Sequence, residues 1–280
     1  MSADGEGVPG TLFVVSTPIG HLGDLSPRAV EVLGQVAAIL AEDTRHTRHL
    51  TDRFGIPTPL LSYHEHNEAE RTPGLVARLR AGESLALVSD AGTPLVSDPG
   101  ARLVQAVVEA GLPVTPVPGP SALLAALVGS GLPADRFTFL GFLPRKGRER
   151  QEALATLVAL PHVGVVYEAA NRTADTLAEL AAAGAGARPA VVARELTKQF
   201  ETFHRGSVAE LAAAMALEPP RGEVVLVIGA GAPAPAPDED ALRARAEQCR
   251  DEGLSAREVQ RVLMDEMHAP RNLAYRIAHG

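Results

Sequence analysis

Three stretches of this chain have the composition of ligand-contacting loops. Ser16 to Asp24 (STPIGHLGD), Asp90 to Asp98 (DAGTPLVSD) and Pro118 to Ser121 (PGPS) are rich in glycine, proline and small hydroxyl residues. Glycine lets a backbone approach a ligand closely and adopt positive φ. Such loops therefore offer bare N–H and C=O groups to an adenosine or an amino-acid moiety. One loop alone reads as a tight turn, whereas three at corresponding strand ends read as the rim of a binding cleft. Other dense spots are Glu42-Asp43-Thr44-Arg45, the triplet His64-Glu65-His66, and the basic turn Pro144-Arg145-Lys146-Gly147-Arg148. Lys146 and Lys198 are the only lysines. Arginine stays protonated, so the many arginines cannot serve as general bases.

Several chemistries are unsupported. There is no G-x-G-x-x-G after the first apolar run and no G-x-x-x-x-G-K-[ST] anywhere, so dinucleotide and P-loop phosphate sites lack their motifs. No G-x-S-x-G nucleophile elbow is present. His64 and His66 at i and i+2 straddle a strand face or sit in a loop, and no third ligand stands at metal spacing. A polar, substrate-facing loop is the better reading, and no metal is expected. The single cysteine, Cys249, leaves no intrachain disulfide and no cysteine-rich zinc module.

The elements that must position these residues follow a regular rhythm. Thr11 to Ser16 is an apolar run ending in a turn-rich loop, hence a buried strand. Ser26-Pro27 marks a helix start. Strands at 36–41, 60–63, 84–89 and 114–117 alternate with helices at 47–54, 67–80 and 99–110, and Ser121 caps another. This alternation specifies a mostly parallel sheet covered on both faces. In such sheets ligands collect beyond the C-terminal ends of the strands, where the three loops fall. After Gly131 the order changes: strand 137–142, helix 149–160, strand 163–167 and helix 172–183. Strands 190–196 and 200–205 then follow one another with no room for a helix, which implies an antiparallel pair and a mixed sheet. Ser207 and Glu210 match a capping box before a helix, and Glu223 to Ile228 is the last strand. The expected organisation is a flexible N-terminus (1–10), an N-terminal α/β domain (11–131), a C-terminal mixed-sheet α/β domain (132–229), a Gly/Ala/Pro linker (230–238) and a helical tail (239–280). The tail reads either as a small helix-turn-helix or as a helical pair, with a capping box at Ser255 and Glu258.

Composition narrows the class. The chain has 280 residues, a prior of about two domains. With 46% hydrophobic residues it can build a sizeable core. Aromatics at 4%, with no Trp, disfavour broad base-stacking platforms. The net charge of −8 argues against non-specific nucleic-acid binding but leaves room for a local basic cleft. No signal-peptide pattern opens the chain and no apolar run approaches the ~20 residues of a membrane span. A soluble, cytoplasmic protein without a membrane partner is expected.

The segments TPIGHLGDLSPRA, AEDTRHT, HEHN, ALVSDAGTPLVSDPG, PVPGPSA, LPADRFTFLGFLPRKG, ARELTKQFET and GEVVLVI occur in an order that resembles the ribosomal small-subunit RNA 2'-O-methyltransferase I family, part of the tetrapyrrole-methylase-like superfamily. The resemblance covers roughly residues 11 to 230 and extends more weakly into the tail. Many superfamily members carry a Gly-x-Gly-x-Gly first loop. Here it is Thr17-Pro18-Ile19-Gly20-His21-Leu22-Gly23-Asp24, which points to the rRNA branch. The resemblance implies the class III methyltransferase fold, a homodimer, and S-adenosyl-L-methionine in a cleft between two α/β domains. By position it implies cofactor contacts from Pro18, Gly20, Asp90, Gly92, Thr93, Ser121 and Ala122, and from Tyr167 and Ala193 in the second domain. It also implies a substrate of the small ribosomal subunit, namely a cytidine ribose in the decoding region of 16S rRNA.

Methyl transfer to a hydroxyl is an in-line displacement that gains much from alignment and is helped by proton removal. Lys198, Glu42 and Asp43 are the catalytic candidates, with His64 and Glu195 also chemically suited. Lys198 qualifies only if burial or Arg194 depresses its pKa; otherwise it is a solvated lysine or a phosphate contact. Glu42 and Asp43 could instead pair with Arg45 and organise the cleft. Arg45, His64, Arg145, Lys146 and Arg148 are candidate RNA contacts, although the basic turn also reads as simply solvated. The rival enzyme is a small-molecule methyltransferase of the same fold acting on a tetrapyrrole or corrinoid precursor. A non-enzymatic DNA-binding regulator and a catalytically lost relative are further alternatives.

Overall fold

The computed structural model describes residues 8–231, 238–267 and 269–280. Most of the expected N-terminal arm and of the expected linker therefore lies outside the described residues. Two compact units are present, one ending at Gly231 and one covering the C-terminal residues.

The first unit contains two five-stranded sheets. The first sheet comprises β1 (Leu12–Val15), β2 (Ala38–Ala41), β3 (Leu60–Ser62), β4 (Leu85–Leu87) and β5 (Val114–Val117), in the order β3-β2-β4-β1-β5. All its pairings are parallel, with Leu12 opposite both Leu85 and Val114. Alternate residues feed opposite faces, as a strand's period of two requires. Val15, Ile39, Ala41, Ala86 and Val88 join one core cluster, under α1 (Pro27–Gln35) and α2 (Thr44–Phe54). Leu12, Leu40, Leu85 and Leu87 join the other, under α3 (Glu68–Arg80) and α4 (Ala101–Glu109). Neighbouring strands β1 and β4 thus send their helices to opposite faces. That leaves a crevice between their loops, where open parallel sheets hold ligands.

The second sheet runs β6 (Phe137–Phe142), β7 (Val163–Ala169), β10 (Glu223–Ile228), β8 (Pro189–Arg194), β9 (Thr202–Ser207). β6 and β7 are parallel and the remaining pairs antiparallel. α6 (Gly147–Ala159), α7 (Thr173–Leu180) and α8 (Val208–Leu217) cover one face around Val166, Val192, Val224 and Leu226. The opposite face (Val165, Val191, Val225, Val227) is covered by α5 (Ala122–Ser130), which follows the first sheet in the chain, and by Ile19 of the β1 loop. The seam is tight: a Cβ at Gly129 would lie 2.5 Å from the Phe203 ring.

The expected capping residues are in place. Ser26 accepts from Ala29 N and Ser121 from Leu124 N, while Ser207 and Glu210 close a reciprocal capping box. α2 begins at Thr44 rather than at the expected 47, because the Asp43 side chain accepts from Arg45 N and starts the helix earlier.

The C-terminal unit, read from sequence either as a small helix-turn-helix or as a helical pair, has one helix more than the two the sequence marked. It has three helices: α9 (Glu239–Asp251), α10 (Ala256–Asp265) and α11 (Arg271–His279). α9 buries Leu242, Ala246 and Cys249, an apolar stripe of one leucine and two small residues that leaves only a faint periodic signal. Asp238 caps it, accepting from Asp240 N and Ala241 N. Among the described residues no helix is long and apolar enough to cross a membrane.

Candidate functional site

The three loops singled out in the sequence are stitched into one rim. Thr17 and Gly92 form an antiparallel bridge, N–H to C=O at 2.9 and 3.1 Å in the two directions. Thr17 Oγ1 donates to the Ser89 carbonyl at 3.1 Å. Thr93 Oγ1 donates to the Pro120 carbonyl at 3.0 Å and lies 3.1 Å from Ser16 Oγ. The loops after β1, β4 and β5 therefore hold one another through direct hydrogen bonds.

Two cavities adjoin this rim, sharing Ile19, Asp90, Ala91 and Glu223. The first, of about 350 Å³, is lined by Asp90, Gly92, Thr93, Asp98, Ser121, Ala122 and Tyr167, and on the second sheet by Gly222 to Val225. The second, of about 270 Å³, is lined by Thr17, Pro18, Gly20, His46, His49, Ser89 and Lys198. Five of the nine expected cofactor contacts, Gly92, Thr93, Ser121, Ala122 and Tyr167, thus meet in the first cavity, and Asp90 faces both. Pro18 and Gly20 belong to the second. Ala193 lines neither: it is fully buried in β8, opposite Val225.

Tyr167 is fixed from three sides. Its hydroxyl accepts from Leu123 N at 3.2 Å, and Phe139 and Phe142 meet its ring edge-on at 4.8 and 5.2 Å. Burial pushes its phenol pKa up, so it stays a neutral hydrogen-bonding group at ordinary pH.

The carboxylates divide sharply. Asp43 caps α2 and forms an ion pair with the exposed Arg45 at 2.9 Å. Hydrogen bonds from the Arg45 side chain and backbone hold its pKa down to about 2. Asp98, the last residue of the second loop, lines the first cavity. Burial, and then the charge of Glu42, raise its pKa to about 6; Ser89 opposes this and Asp90 adds to it. Glu42 is itself raised by burial and by Asp90, and neither Glu42 nor Asp43 lines either cavity.

Lys198 does not meet the condition set for a base. Burial works against its charge, but hydrogen bonds to Glu223 Oε2 at 2.8 Å and Glu195 Oε1 at 3.0 Å outweigh it, and its pKa is raised. Glu195 also accepts from Glu223 N, and that bond, followed by Lys198, holds its pKa low. Lys198 is therefore an ammonium that ties the 195–198 loop to β10. The same loop packs on the β1 loop: a Cβ at Gly20 would lie 2.5 Å from Lys198 Cγ and 2.8 Å from Thr197 Oγ1.

Among the described residues, the non-glycine residues with left-handed φ are Leu95, Ser97, Glu195 and Thr197. All four lie in the two loops flanking the cavities. Each such residue costs roughly 1–3 kcal/mol, a strain that tends to persist at functional sites.

The expected RNA contacts are dispersed. Arg145, Lys146 and Arg148 are exposed on the β6–α6 turn, with Arg148 paired to Glu152 at 2.6 Å. The turn has a rigid base. Glu168, with a fully buried side chain, binds Arg172 at 2.5 Å and Arg150 at 3.5 Å, and both arginines donate to the Pro144 carbonyl. His64 turns inward: its Nε2 meets Asn67 Nδ2 at 3.2 Å, and its Nδ1 is buried with no partner. It is poorly placed for a phosphate.

Sequence reasoning passed over Asp98 and the Gly222–Val225 wall. Asp98 was within reach, since it ends a loop already singled out and has no basic residue beside it. The wall is a central strand whose apolar run looks like core. No group of three or more His, Cys, Asp or Glu side chains converges as a metal site among the described residues.

Residues 11–212 match the family described as Tetrapyrrole (Corrin/Porphyrin) Methylases. The chain is 55% identical over 222 residues to "Ribosomal RNA small subunit methyltransferase I" of Xylella fastidiosa, covering 79% of this chain and 81% of that protein. It is 46% identical over 271 residues to the protein of the same name from Synechocystis, covering 96% and 97%. Among solved structures, uroporphyrin-III C-methyl transferase from Thermus thermophilus complexed with S-adenyl homocysteine superimposes with a TM-score of 0.56 at 22% identity, covering 79% of this chain and 97% of that one. Diphthine synthase does so with a TM-score of 0.60 at 16% identity, covering 79% and 89%. At those identities the two structures speak for the fold alone.

Proposed function

The chain belongs to the ribosomal RNA small subunit methyltransferase I family, and on that premise we propose that it transfers the methyl group of S-adenosyl-L-methionine to the 2'-hydroxyl of a cytidine in the decoding region of 16S rRNA. The observation that carries the reading is the first cavity. Its about 350 Å³ suits a nucleoside-sized ligand. Ile19, Ala122, Val224 and Val225 give it apolar walls, Thr93, Ser121 and Tyr167 give it hydroxyl groups, and of its carboxylates Glu168 and Glu223 are paired with Arg172 and Lys198 while Asp90 and Asp98 make no ion pair among the described residues. Asp90 and Asp98 give it a negative potential, which complements a sulfonium cation.

When bound, the cofactor supplies an electrophilic methyl group. Asp90, Gly92, Thr93, Ser121, Ala122 and Tyr167 would hold it. The second cavity takes the acceptor nucleoside, whose 2'-hydroxyl reaches past the shared Asp90 into the first cavity, where Asp98 stands. Asp98 receives the hydroxyl proton on its carboxylate oxygen; a carboxyl near pKa 6 is mostly ionised at neutral pH yet more basic than a solvated one. Lys198, Glu195 and Glu223 position the loop that closes the acceptor side. Arg45, Arg145, Lys146 and Arg148 receive phosphates. The exposed Leu124 and Val128 on α5, one turn apart, support a homodimer.

The test is transfer of labelled methyl from S-adenosylmethionine to small ribosomal subunits of a strain lacking this protein, followed by nuclease digestion and mass spectrometry. Label on a cytidine ribose is the expected result. Unlabelled subunits and RNA, with cofactor binding intact, would overturn the assignment in favour of a small-molecule acceptor.

A further inference from the structure

We infer that the three-helix C-terminal unit carries its own contact for RNA: a groove between α10 and the start of α11 in which Arg257, Arg261 and Arg271 hold the phosphate backbone. This rests on the reading of RNA as the acceptor. From residue 239 onward the chain has seven arginines and no lysine. Four are committed within the unit. Arg243 and Arg276 bind Glu239 at 3.3 and 2.9 Å. Arg245 binds Glu266 at 3.1 Å and Glu252 at 3.7 Å, and Arg250 donates to the Ile277 carbonyl at 2.6 Å. The other three are exposed and, among the described residues, make no ion pair or side-chain hydrogen bond.

All three of these arginines line one groove of about 460 Å³. Arg257 and Arg261 stand one helical turn apart on α10, about 6 Å along the axis, and Arg271 opens α11 across the turn. Half-buried Gln260 and Met264 also line it, giving an amide for base edges and an apolar surface for a base face. Two carboxylates are present. Glu258 is engaged through one oxygen, Oε2, which accepts from Ser255 N at 2.9 Å and Ser255 Oγ at 2.6 Å; Asp265 is the other, so three guanidinium groups face two carboxylates. The unit as a whole is not basic, so three uncommitted guanidinium groups on one groove are a local arrangement. The planar guanidinium fork matches phosphate oxygens, which makes a nucleic-acid strand the fitting occupant and a ribosomal protein surface the poorer one.

The experiment compares the full chain with R257Q/R261Q/R271Q and R257K/R261K/R271K in equilibrium binding to small subunits across a salt series, with methyl transfer measured in parallel. The glutamine variant should bind at least tenfold more weakly near physiological salt. Its log K against log salt should be shallower by about two, at roughly 0.7 per phosphate contact. KM for subunits should rise, with kcat and cofactor affinity unchanged. The lysine variant keeps the charges and should keep most of the slope, which separates charge from folding. An unchanged slope and KM would overturn the inference, as would weaker binding at unchanged slope, the signature of a protein contact. Salt-dependent binding lost in the glutamine variant, without methyl transfer by the parent, would retain the groove and defeat the functional reading.

Discussion

The rim of the cleft around Asp43 and the cavity wall around Asp98 put the same side chain to opposite use. At the rim, Asp43 meets a guanidinium and two backbone N–H groups, and its carboxyl is held at about 2. In the wall, Asp98 meets Glu42 and Asp90, finds no cation, and rises to about 6. Desolvation and like charge favour the neutral acid, whereas an ion pair favours the anion. The rim carboxylate is thereby reduced to structure, and the wall carboxylate is kept basic. The acidic pair read first in the sequence supplies a helix cap and an electrostatic neighbour, and on the proposed mechanism the proton acceptor is a residue further along the chain.

The largest effect expected from breaking this contrast comes from Asp98→Asn. Methyl transfer should fall by about 10²–10⁴, the usual contribution of a general base, a larger loss than that in cofactor affinity, because Asp90 remains in the cavity. The same change should raise the thermal midpoint at pH 7. The raised pKa means that the folded state binds a proton more tightly than the unfolded state between about 3.8 and about 6. Stability from this group is present at low pH and is lost as pH rises through that window. Asparagine removes the loss. An inactive variant that melts higher at pH 7 and gains little at pH 4 separates a functional carboxylate from a structural one; a lowered midpoint would count against the assignment.

Glu42→Gln is the intermediate case. In the parent, kcat/KM should fall as pH drops through about 6, because the free enzyme's base is then protonated. Removing the Glu42 charge should shift that limb to lower pH. A limb that stays in place would detach Glu42 from the titrating group.

Asp43→Asn should have the smallest effect. The depressed pKa of Asp43 gives stability that is present above about 3.8 and lost only as pH falls toward about 2, so the stability profile between pH 5 and 8 should keep its shape. Asparagine preserves the helix cap and surface ion pairs contribute little, so activity should stay within about twofold. A large loss would return Asp43 to the chemistry.

Much of this architecture is legible in the chain. The alternation from Thr11 to Ser121 specifies a sheet covered on both faces, because apolar period and strand geometry are local properties. The adjacent strands near 190–205 specify the mixed sheet by the same logic. Ser26, Ser121 and Ser207 announce their helices because a cap acts within three residues. The three glycine- and proline-rich loops fall where strand ends must place them, and the ordered motifs from TPIGHLGD to GEVVLVI identify the family. What tertiary structure decided is everything set by distance between residues remote in sequence and by the dielectric around them. Glu223 meets Lys198 and holds it as an ammonium. α5 leaves its own sheet to cover the second one. Ala193 turns into the core, and Gly222 to Val225 become a cavity wall. Asp43 and Asp98 are the same letter in the sequence; what separates them is a local partner, Arg45, beside one and, for the other, the half-buried site beside Glu42 and Asp90 that only the fold creates.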